Sequence, residues 1–354
     1  MNTLKVRIKI AHLGFICKNS EIMYRPLKLS EVIGQSTAVQ LLKNSLSQNK
    51  LPRTIIFHGP SGVGKTTMAR IIAAWFVCEN KEENDVCGKC ESCLSVQKDA
   101  IPDIIEFDAA SHTSIEDVRQ ILDQCKYAPQ YSSEKVFIID EAHMLSRNAI
   151  AALLKTFEET ANHIRFILAT TEIEKISQAI RSRCFCIPMQ KMTPDLTKES
   201  LKNIAKKNNI ECDEESLSII AMASKGSMRE ANSIFEQAAL LSSDKINKEK
   251  IYQILSFAPD VLVETVCDQI EKGEFLNLYN TLEEEISKQY DSIAFLGQVI
   301  NKFKQKYAQE NKEKTIKIMI NLNKIMHECV KIAFPFDFIQ IGMCEIANNN
   351  CFNK

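Results

Sequence analysis

The segment from Gly59 to Thr66, which reads GPSGVGKT, constrains the fold of this 354-residue chain more than any other. It follows a short apolar run, Thr54 to His58, and precedes a helix-like segment from Thr66 to Val77. In this context, the spacing G-x-x-x-x-G-K-[ST] predicts a loop whose backbone N–H groups bind phosphate oxygens at a helix N-terminus. Lys65 would neutralise the β and γ phosphates, and Thr66 would supply a hydroxyl to Mg²⁺. The nucleotide-binding residues predicted here are Gly59, Pro60, Ser61, Gly62, Val63, Gly64, Lys65, Thr66 and Thr67.

Short apolar runs alternate with helix-like segments from Thr54 onward, which is typical of a parallel sheet with crossover helices. Runs of consecutive apolar residues, such as Val136 to Ile139, indicate central strands that helices cover on both faces. We therefore predict an α/β domain over residues 24–188. Its predicted strands are Thr54–His58, Ile104–Asp108, Lys135–Asp140, Arg165–Thr170 and Cys184–Pro188.

The remainder of the chain has a helical pattern. Four helix-sized segments, near 195–208, 213–224, 228–242 and 247–256, predict a small helical domain over 189–257. Pro259 marks a break, because the residue before a proline is disfavoured in a helix. Residues 258–354 are expected to form a third, all-helical domain. Its amphipathic periodicity is illustrated by Ile316, Met319, Ile320, Asn323 and Met326.

Two carboxylates, Asp140 and Glu141, end the apolar run that begins at Lys135. Because the carboxyl ends of parallel strands face the ligand crevice, we expect both side chains beside the phosphate loop. Asp140 would complete the Mg²⁺ shell with Thr66, and Glu141 would act as the general base towards the attacking water. The alternative is a pair of solvated acids at a strand end.

Cys78, Cys87, Cys90 and Cys93 lie within sixteen residues and have the spacing C-x8-C-x2-C-x2-C. Four thiolates at this spacing can close a tetrahedral zinc site. We call residues 78–93 the cysteine module. Since no histidine or water-activating acid joins the cluster, we predict structural zinc; a redox pair is the alternative.

Charge and cysteine usage limit where the chain functions. The formal net charge of −1 gives no global attraction to nucleic acid, so any DNA contact must come from a local patch. The thirteen cysteines, mostly scattered, suit a reducing cytoplasm.

The longest apolar run, Ile71 to Cys78, is far shorter than the roughly 20 residues that span a membrane. Residues 1–23 only faintly resemble a signal peptide, and we expect a disordered extension or a misassigned start ahead of Met23.

These motifs together resemble the gamma/tau subunits of bacterial DNA polymerase III, the clamp-loader ATPases of the AAA+ superfamily. The resemblance runs from Tyr24 to about Arg229, and the cysteine module distinguishes it from replication factor C subunits and branch-migration motors. Besides the phosphate loop and the cysteines, it rests on Tyr24–Pro26, Glu31–Gln35, Asp108–Ser111, Ile139–Ser146, Leu153–Lys155, Ala169–Thr171, Ser182–Cys184 and Gly226–Arg229.

The resemblance implies an AAA+ P-loop ATPase domain with a zinc-binding insert, a helical lid and a helical oligomerisation collar. It implies a subunit that hydrolyses ATP to load the sliding clamp onto primed DNA. The implied partners are delta and delta prime subunits, copies of itself, the clamp, primed DNA and the single-stranded-DNA-binding protein machinery. Another AAA+ DNA motor, such as a branch-migration translocase, and a nucleotide-binding scaffold without turnover are the alternatives.

The resemblance also assigns residues. Thr171 corresponds to a sensor, Arg183 to an arginine finger that acts in trans on a neighbouring subunit, and Arg229 to a second sensor in the lid. Arg183 could instead be a solvated charge, and Arg229 part of an ordinary amphipathic helix.

A second group of residues is implied by the same resemblance with less support from the sequence. Tyr24, Arg25, Pro26 and Ile33 correspond to a segment over the adenine, although Tyr24 and Ile33 could equally be core residues. Thr113, Ser114 and Arg119 correspond to backbone contacts with DNA.

The chain departs from the family pattern in three places. Phe157–Asn162 replaces a leucine followed by Glu-Glu-Pro-Pro, and Glu230 replaces an aspartate; neither change removes a catalytic group. The chain ends at Lys354, near the expected end of the collar, as the short gamma form would.

Overall fold

The computed structural model describes residues 25–48, 50–82, 85–97, 101–111, 115–159, 161–242, 245–310, 313–329, 331–332 and 335–351. The expected extension over 1–23 lies outside these residues, as does Tyr24. The chain divides into two compact units, one up to Lys245 and one from Ile246.

A five-stranded parallel sheet forms the centre of the first unit, in the order β2-β3-β4-β1-β5. Its strands are β1 Thr54–His58, β2 Ile104–Asp108, β3 Lys135–Asp140, β4 Ile164–Thr170 and β5 Phe185–Pro188. Every residue of β3 except Asp140 is buried, because β3 lies inside the sheet with helices on both faces. The predicted α/β fold with a parallel sheet is confirmed, and the register pairs Asp108 with Asp140 at the carboxyl edge.

Helices surround this sheet and continue beyond it. They are α1 Ser36–Ser47, α2 Lys65–Val77, α3 Glu91–Gln97, α4 Ile115–Gln124, α5 Arg147–Glu159, α6 Gln178–Arg181, α7 Pro194–Lys207, α8 Glu214–Ala223 and α9 Met228–Leu241. Two-residue strands, β6 Glu211–Cys212 and β7 Lys245–Ile246, complete the segment, and β7 spans the division between the units.

Three helices that follow the sheet begin at side-chain caps, which satisfy backbone N–H groups that a helix leaves unpaired. Thr193 accepts from Leu196 N at the start of α7, Asp213 from Ser216 N at α8, and Ser227 from Glu230 N at α9. The caps explain why these helices begin within one residue of the predicted positions.

The second unit, apart from Ile246 at the end of β7, has only helices as regular structure in its described residues. It contains α10 Lys248–Leu255, α11 Asp260–Lys272, α12 Phe275–Thr281, a π-helical turn Leu282–Ile286, α13 Ser287–Gln289, α14 Ser292–Glu310, α15 Glu313–Cys329 and α16 Pro335–Cys351. None of the described helices is both long and apolar enough to cross a membrane.

Helix α15 carries apolar residues on more than one face. Ile318, Leu322 and Ile325 are in the core, whereas Ile316 and Ile320 from the predicted stripe are exposed. The periodicity therefore identifies the helix correctly, but it does not distinguish the face that packs inward.

Candidate functional site

The phosphate loop connects β1 to α2 and has no room for side chains at two of its glycines. Gly59 and Gly62 have φ values of +151° and +74°. A Cβ on Gly59 would lie 2.2 Å from the Met189 carbonyl oxygen, and one on Gly62 would lie 2.0 Å from Ser227 Oγ. Both positions require glycine, because the backbone conformation and the close neighbours exclude a side chain.

Lys65 is the first residue of α2 and is buried. Its Nζ donates to the carbonyl oxygens of Gly59 at 3.0 Å and Pro60 at 2.9 Å. Burial lowers the pKa of the Lys65 ammonium, although the carboxylates of Glu141 and Asp140 act in the opposite direction. The cation thus lies within the loop, where phosphate oxygens would approach.

Thr66 and Asp140, the two residues predicted to bind Mg²⁺, are brought together from α2 and β3. Thr66 Oγ1 donates to Asp140 Oδ2 at 2.6 Å. The other carboxylate oxygen, Asp140 Oδ1, accepts from Glu141 N at 2.9 Å. Oxygen ligands of this kind, a hydroxyl and a carboxylate, fit the hard Mg²⁺ ion.

Glu141 has a positive φ of +46°, which turns its side chain at the end of β3. Its Oε2 accepts from Thr171 Oγ1 at 3.1 Å and from Thr171 N at 3.3 Å. The carboxylate and the predicted sensor therefore lie in direct contact. The contact orients Glu141 at the carboxyl edge of the sheet.

His143 was not assigned a role by the sequence, yet it lies against this carboxylate. Its Nδ1 is 3.1 Å from Thr170 Oγ1 and 3.4 Å from Glu141 Oε2, and its Nε2 is 3.3 Å from Glu172 Oε1. Besides its place in the segment Ile139–Ser146 of the resemblance, the sequence shows only that His143 lies two residues after Glu141 and next to a strand end. That position does not distinguish a neighbour of the site from a core histidine.

A cavity of about 1070 Å³ contains most of the predicted nucleotide residues. Arg25, Pro26 and Ile33 line it, and so do Asp140, Glu141 and Arg229. The phosphate loop contributes Ser61, Gly62, Val63, Gly64, Lys65, Thr66 and Thr67. Gly59, Pro60 and Thr171 do not line the cavity. Gly59 and Pro60 belong to the phosphate loop, and Thr171 contacts Glu141, which does line it.

Gln35 also lines this cavity, although the sequence did not predict a role for its side chain. It is buried, its Nε2 donates to Gln190 O at 2.7 Å, and its Oε1 accepts from Gln190 N at 3.1 Å. These bonds fasten the segment before α1 to the segment that follows β5.

The helix α9 meets the phosphate loop through its backbone. Gly62 O accepts from Met228 N at 2.8 Å and from Arg229 N at 3.4 Å. These two hydrogen bonds hold the main chain of Arg229 beside the phosphate loop. The residue also lines the cavity.

Arg183 does not line this cavity. Its Nη2 lies 2.7 Å from Glu158 Oε1, and its Nη1 donates to Ala179 O at 3.0 Å. The side chain is 45% exposed. It is available at a surface of the first unit. Of the residues predicted to contact DNA, Arg119 is exposed on α4, and Thr113 and Ser114 lie outside the described residues.

The four cysteines of the cysteine module converge in a buried cluster, with all four sulfur atoms within 4.8 Å of one another. The Sγ atoms of Cys78 and Cys87 are 3.7 Å apart, and those of Cys87 and Cys93 are 3.9 Å apart. Four sulfur ligands about 2.3 Å from a tetrahedral zinc ion lie roughly 3.8 Å apart, so the cluster fits this metal. A disulfide would require about 2.05 Å, and all four cysteines are free.

Backbone N–H groups further favour thiolates in this cluster. Lys89 N and Cys90 N donate to Cys87 Sγ at 3.4 and 3.3 Å, and these bonds lower the pKa of Cys87 to about 6. Burial raises the pKa of the Cys78 and Cys93 thiols. A bound cation would offset that cost, since metal binding releases the thiol protons.

Comparison with solved structures supports the fold. The Holliday junction branch migration motor RuvB of Thermotoga maritima has a TM-score of 0.50 and 20% sequence identity, over 78% of this chain and 91% of that protein. The similarity shows that the two proteins share a fold.

Comparison at the sequence level identifies the family. Residues 34–193 match the family described as DNA polymerase III, delta subunit, and residues 197–244 match the DNA polymerase III clamp loader subunit, ATPase lid domain. DNA polymerase III subunit gamma of Buchnera aphidicola from Schizaphis graminum is 43% identical over 66% of this chain and 64% of its own length. The subunit gamma of Buchnera aphidicola from Acyrthosiphon pisum is 37% identical over 71% of this chain and 70% of its own. The chain belongs to the gamma/tau family of DNA polymerase III subunits.

Proposed function

We propose that this chain is the ATPase motor subunit of a DNA polymerase III clamp loader, which hydrolyses ATP to open the sliding clamp and place it on primed DNA. The contact that carries the proposal is the 2.6 Å hydrogen bond from Thr66 Oγ1 to Asp140 Oδ2, directly behind Lys65 in the phosphate loop. It brings the two expected Mg²⁺ ligands together where a nucleotide's phosphates would lie. Bound Mg²⁺ would neutralise charge on the β and γ phosphates.

Each residue of the site then has a task that its position supports. The loop N–H groups and Lys65 would bind the phosphates, and Arg25, Pro26 and Ile33 would enclose the base. Glu141 would accept a proton from the attacking water, with Thr171 holding the carboxylate in orientation.

Arg229 would connect nucleotide state to the lid. Its backbone is already bound to Gly62 O in the phosphate loop. An interaction between its guanidinium and the phosphates would therefore make the angle of α9 depend on the nucleotide.

Arg183 would act in trans, on the nucleotide of a neighbouring subunit. It lies outside its own cavity and is exposed, as such a role requires. Its exposed ion pair with Glu158 is worth at most about 1 kcal/mol, so a neighbour's phosphates could displace Glu158. Hydrolysis would then depend on assembly, because the developing phosphate charge is stabilised only when a neighbour is docked.

The remaining parts of the proposal concern assembly. Delta, delta prime and copies of this chain would form the ring, held by the collar, and the exposed Ile316 and Ile320 on α15 suit an interface. The ring would act on the sliding clamp and primed DNA, with the single-stranded-DNA-binding machinery, in the cytoplasm. Zinc in the cysteine module would be structural, since all four ligand positions are filled by sulfur.

Nucleotide binding is the first test of this proposal. Lys65→Ala should abolish binding of Mg–ATP by the chain, measured by calorimetry, because the buried cation of the loop is lost. Tight binding by this variant would overturn the assignment of the site.

Steady-state ATP hydrolysis is the test of the biological role. The chain would be assayed with delta and delta prime, with and without sliding clamp and primed single-stranded DNA. Strong stimulation only when clamp and primed DNA are both present is expected for clamp loading. Equal turnover on plain duplex DNA, indifferent to the clamp, would instead indicate a translocating motor.

A further inference from the structure

We propose that Asp85, in the cysteine module, is a positioning residue for nucleotide binding. Its carboxylate fixes residues 25–33, which we call the strap, against the nucleotide cavity. The cysteine module would then set the affinity for nucleotide as well as stabilise the fold. This inference rests on the proposed function, because it takes the cavity to be the ATP site.

Asp85 binds the middle of the strap through both carboxylate oxygens. Oδ1 accepts from Leu29 N at 3.0 Å, and Oδ2 accepts from Ser30 N at 2.9 Å. Asp85 is itself held by two backbone hydrogen bonds exchanged with Glu82, at 3.0 and 2.8 Å. A carboxylate that accepts from two successive backbone N–H groups forms charge-assisted bonds, which are stronger than neutral ones.

Packing joins the strap to the cysteines independently of these bonds. The Leu29 side chain is 1% exposed and lies in the same hydrophobic cluster as Cys78, Cys87, Cys90 and Cys93. The strap therefore shares a hydrophobic core with the cysteine module.

The same strap lines the cavity on its other side. Arg25, Pro26, Ser30 and Ile33 all contribute to the cavity wall, whereas Asp85 does not. Asp85 can affect a bound nucleotide only through the strap, which is why we describe it as a positioning residue. Just after the strap, the side chain of Gln35 binds the backbone of Gln190. The bonds to Asp85 are a second attachment, near the middle of the strap.

Loss of the Asp85 bonds should weaken nucleotide binding without changing the chemistry. If the strap then occupies its closed position about a tenth of the time, the apparent Kd for nucleotide rises about tenfold. The catalytic carboxylate Glu141 belongs to a different element, so kcat at saturating ATP should not change.

The experiment compares the affinity of variants of the full chain for Mg–ATPγS by calorimetry, alongside their zinc content by atomic absorption. Asp85→Ala should raise Kd about tenfold with full zinc content. Asp85→Asn retains one carbonyl acceptor and should recover part of the loss. In the reconstituted ATPase, Asp85→Ala should raise KM for ATP and leave kcat unchanged, a split that general destabilisation would not produce.

Two variants serve as matched controls. Glu82→Gln changes the neighbouring carboxylate, whose 3.4 Å contact with Lys28 of the strap is exposed, and should change Kd by less than about twofold. Asp103→Ala removes another carboxylate that accepts from backbone N–H groups, those of Gln130, Tyr131 and Ser132, away from the cavity lining. It should lower stability and leave Kd unchanged.

Metal removal gives an independent readout. Stripping zinc with a mercurial reagent and a chelator should raise the Kd of the wild-type chain for Mg–ATPγS to about the value of Asp85→Ala. Unchanged affinity in Asp85→Ala, or an equal loss in Asp103→Ala, would overturn the inference. Failure of the wild-type chain itself to bind Mg–ATPγS would overturn the proposed function instead.

Discussion

Helix α2 begins at the phosphate loop and ends at the cysteine module, and these two ends differ in how their polar groups are satisfied. At the first end, Lys65 lies beside an open cavity, and its partners are backbone carbonyl oxygens of the loop. At the second end, Cys78 joins three other buried thiols that lie at metal-binding distances from one another. Ten of the thirteen residues of α2 are buried, so the two ends are joined by a helix inside the core.

The difference reflects the demands of two kinds of ligand. A nucleotide that enters and leaves needs an open cavity with donors already in place, and the glycines of the loop provide this. A structural metal needs a complete ligand set and protection from solvent. With the proposed ligands, the nucleotide at one end of the helix would exchange and the metal at the other would stay bound. The strap lines the cavity and contacts the cysteine module.

Removal of the proposed metal ligands should have the largest effect. The double substitution Cys87→Ser and Cys90→Ser should abolish zinc binding and lower the free energy of unfolding by about 5 kcal/mol or more, because structural zinc contributes folding energy directly. Denaturant unfolding and metal analysis measure both effects. Cys125→Ser, at a partly buried cysteine outside the module, is the control and should retain the zinc. Wild-type stability in the double variant would show that this end of α2 needs no metal.

Removal of the proposed general base should affect the phosphate-loop end of α2 alone. Glu141→Gln should lower kcat by about 10²- to 10⁴-fold, while nucleotide affinity and zinc content stay close to wild type. Turnover assays and calorimetry separate the two quantities. Glu172→Gln is the matched control, since Glu172 contacts His143 but does not line the cavity. Normal turnover in Glu141→Gln would assign the proton transfer to another group.

The sequence predicts the phosphate-loop end of α2 more completely than the contacts of the strap that join the two ends. The limits of β1, β2 and β3 follow from apolar runs with clear ends, and the meeting of Thr66 with Asp140 follows from parallel topology. The carboxylate contacts of Asp85 could not be predicted, because they join a loop to the short 3₁₀ turn Leu29–Glu31, and neither segment has a periodic sequence pattern. Glu158 as the partner of Arg183 was also missed, since exposed charges have many possible partners. On α15, apolar residues on two faces left the inward face undetermined.

A glycine substitution probes the packing at each end. Gly62→Ala should lower nucleotide affinity about tenfold, because its Cβ would lie 2.0 Å from Ser227 Oγ, at the start of α9. Gly88→Ala, in the cysteine module, has a similar φ of +70°, but its Cβ would lie 3.2 Å from the flexible end of Lys28. Its effect on nucleotide affinity should be smaller. Calorimetric titration of both variants tests the difference, and equal losses would show that backbone strain alone decides the outcome.

The smallest effect on the isolated chain is expected at Arg183, which does not line the cavity. Arg183→Ala should change nucleotide affinity and basal turnover by less than about twofold, because the guanidinium pairs with exposed Glu158 and does not line the cavity. Arg229→Ala, at a residue that does line the cavity, should weaken binding clearly in the same titration. In the reconstituted ring, Arg183→Ala should remove the stimulation by clamp and primed DNA, since the residue would then face a neighbour's nucleotide. A large loss of affinity in the isolated Arg183→Ala chain would place this arginine in its own site, and hydrolysis would no longer need to be completed across a subunit boundary.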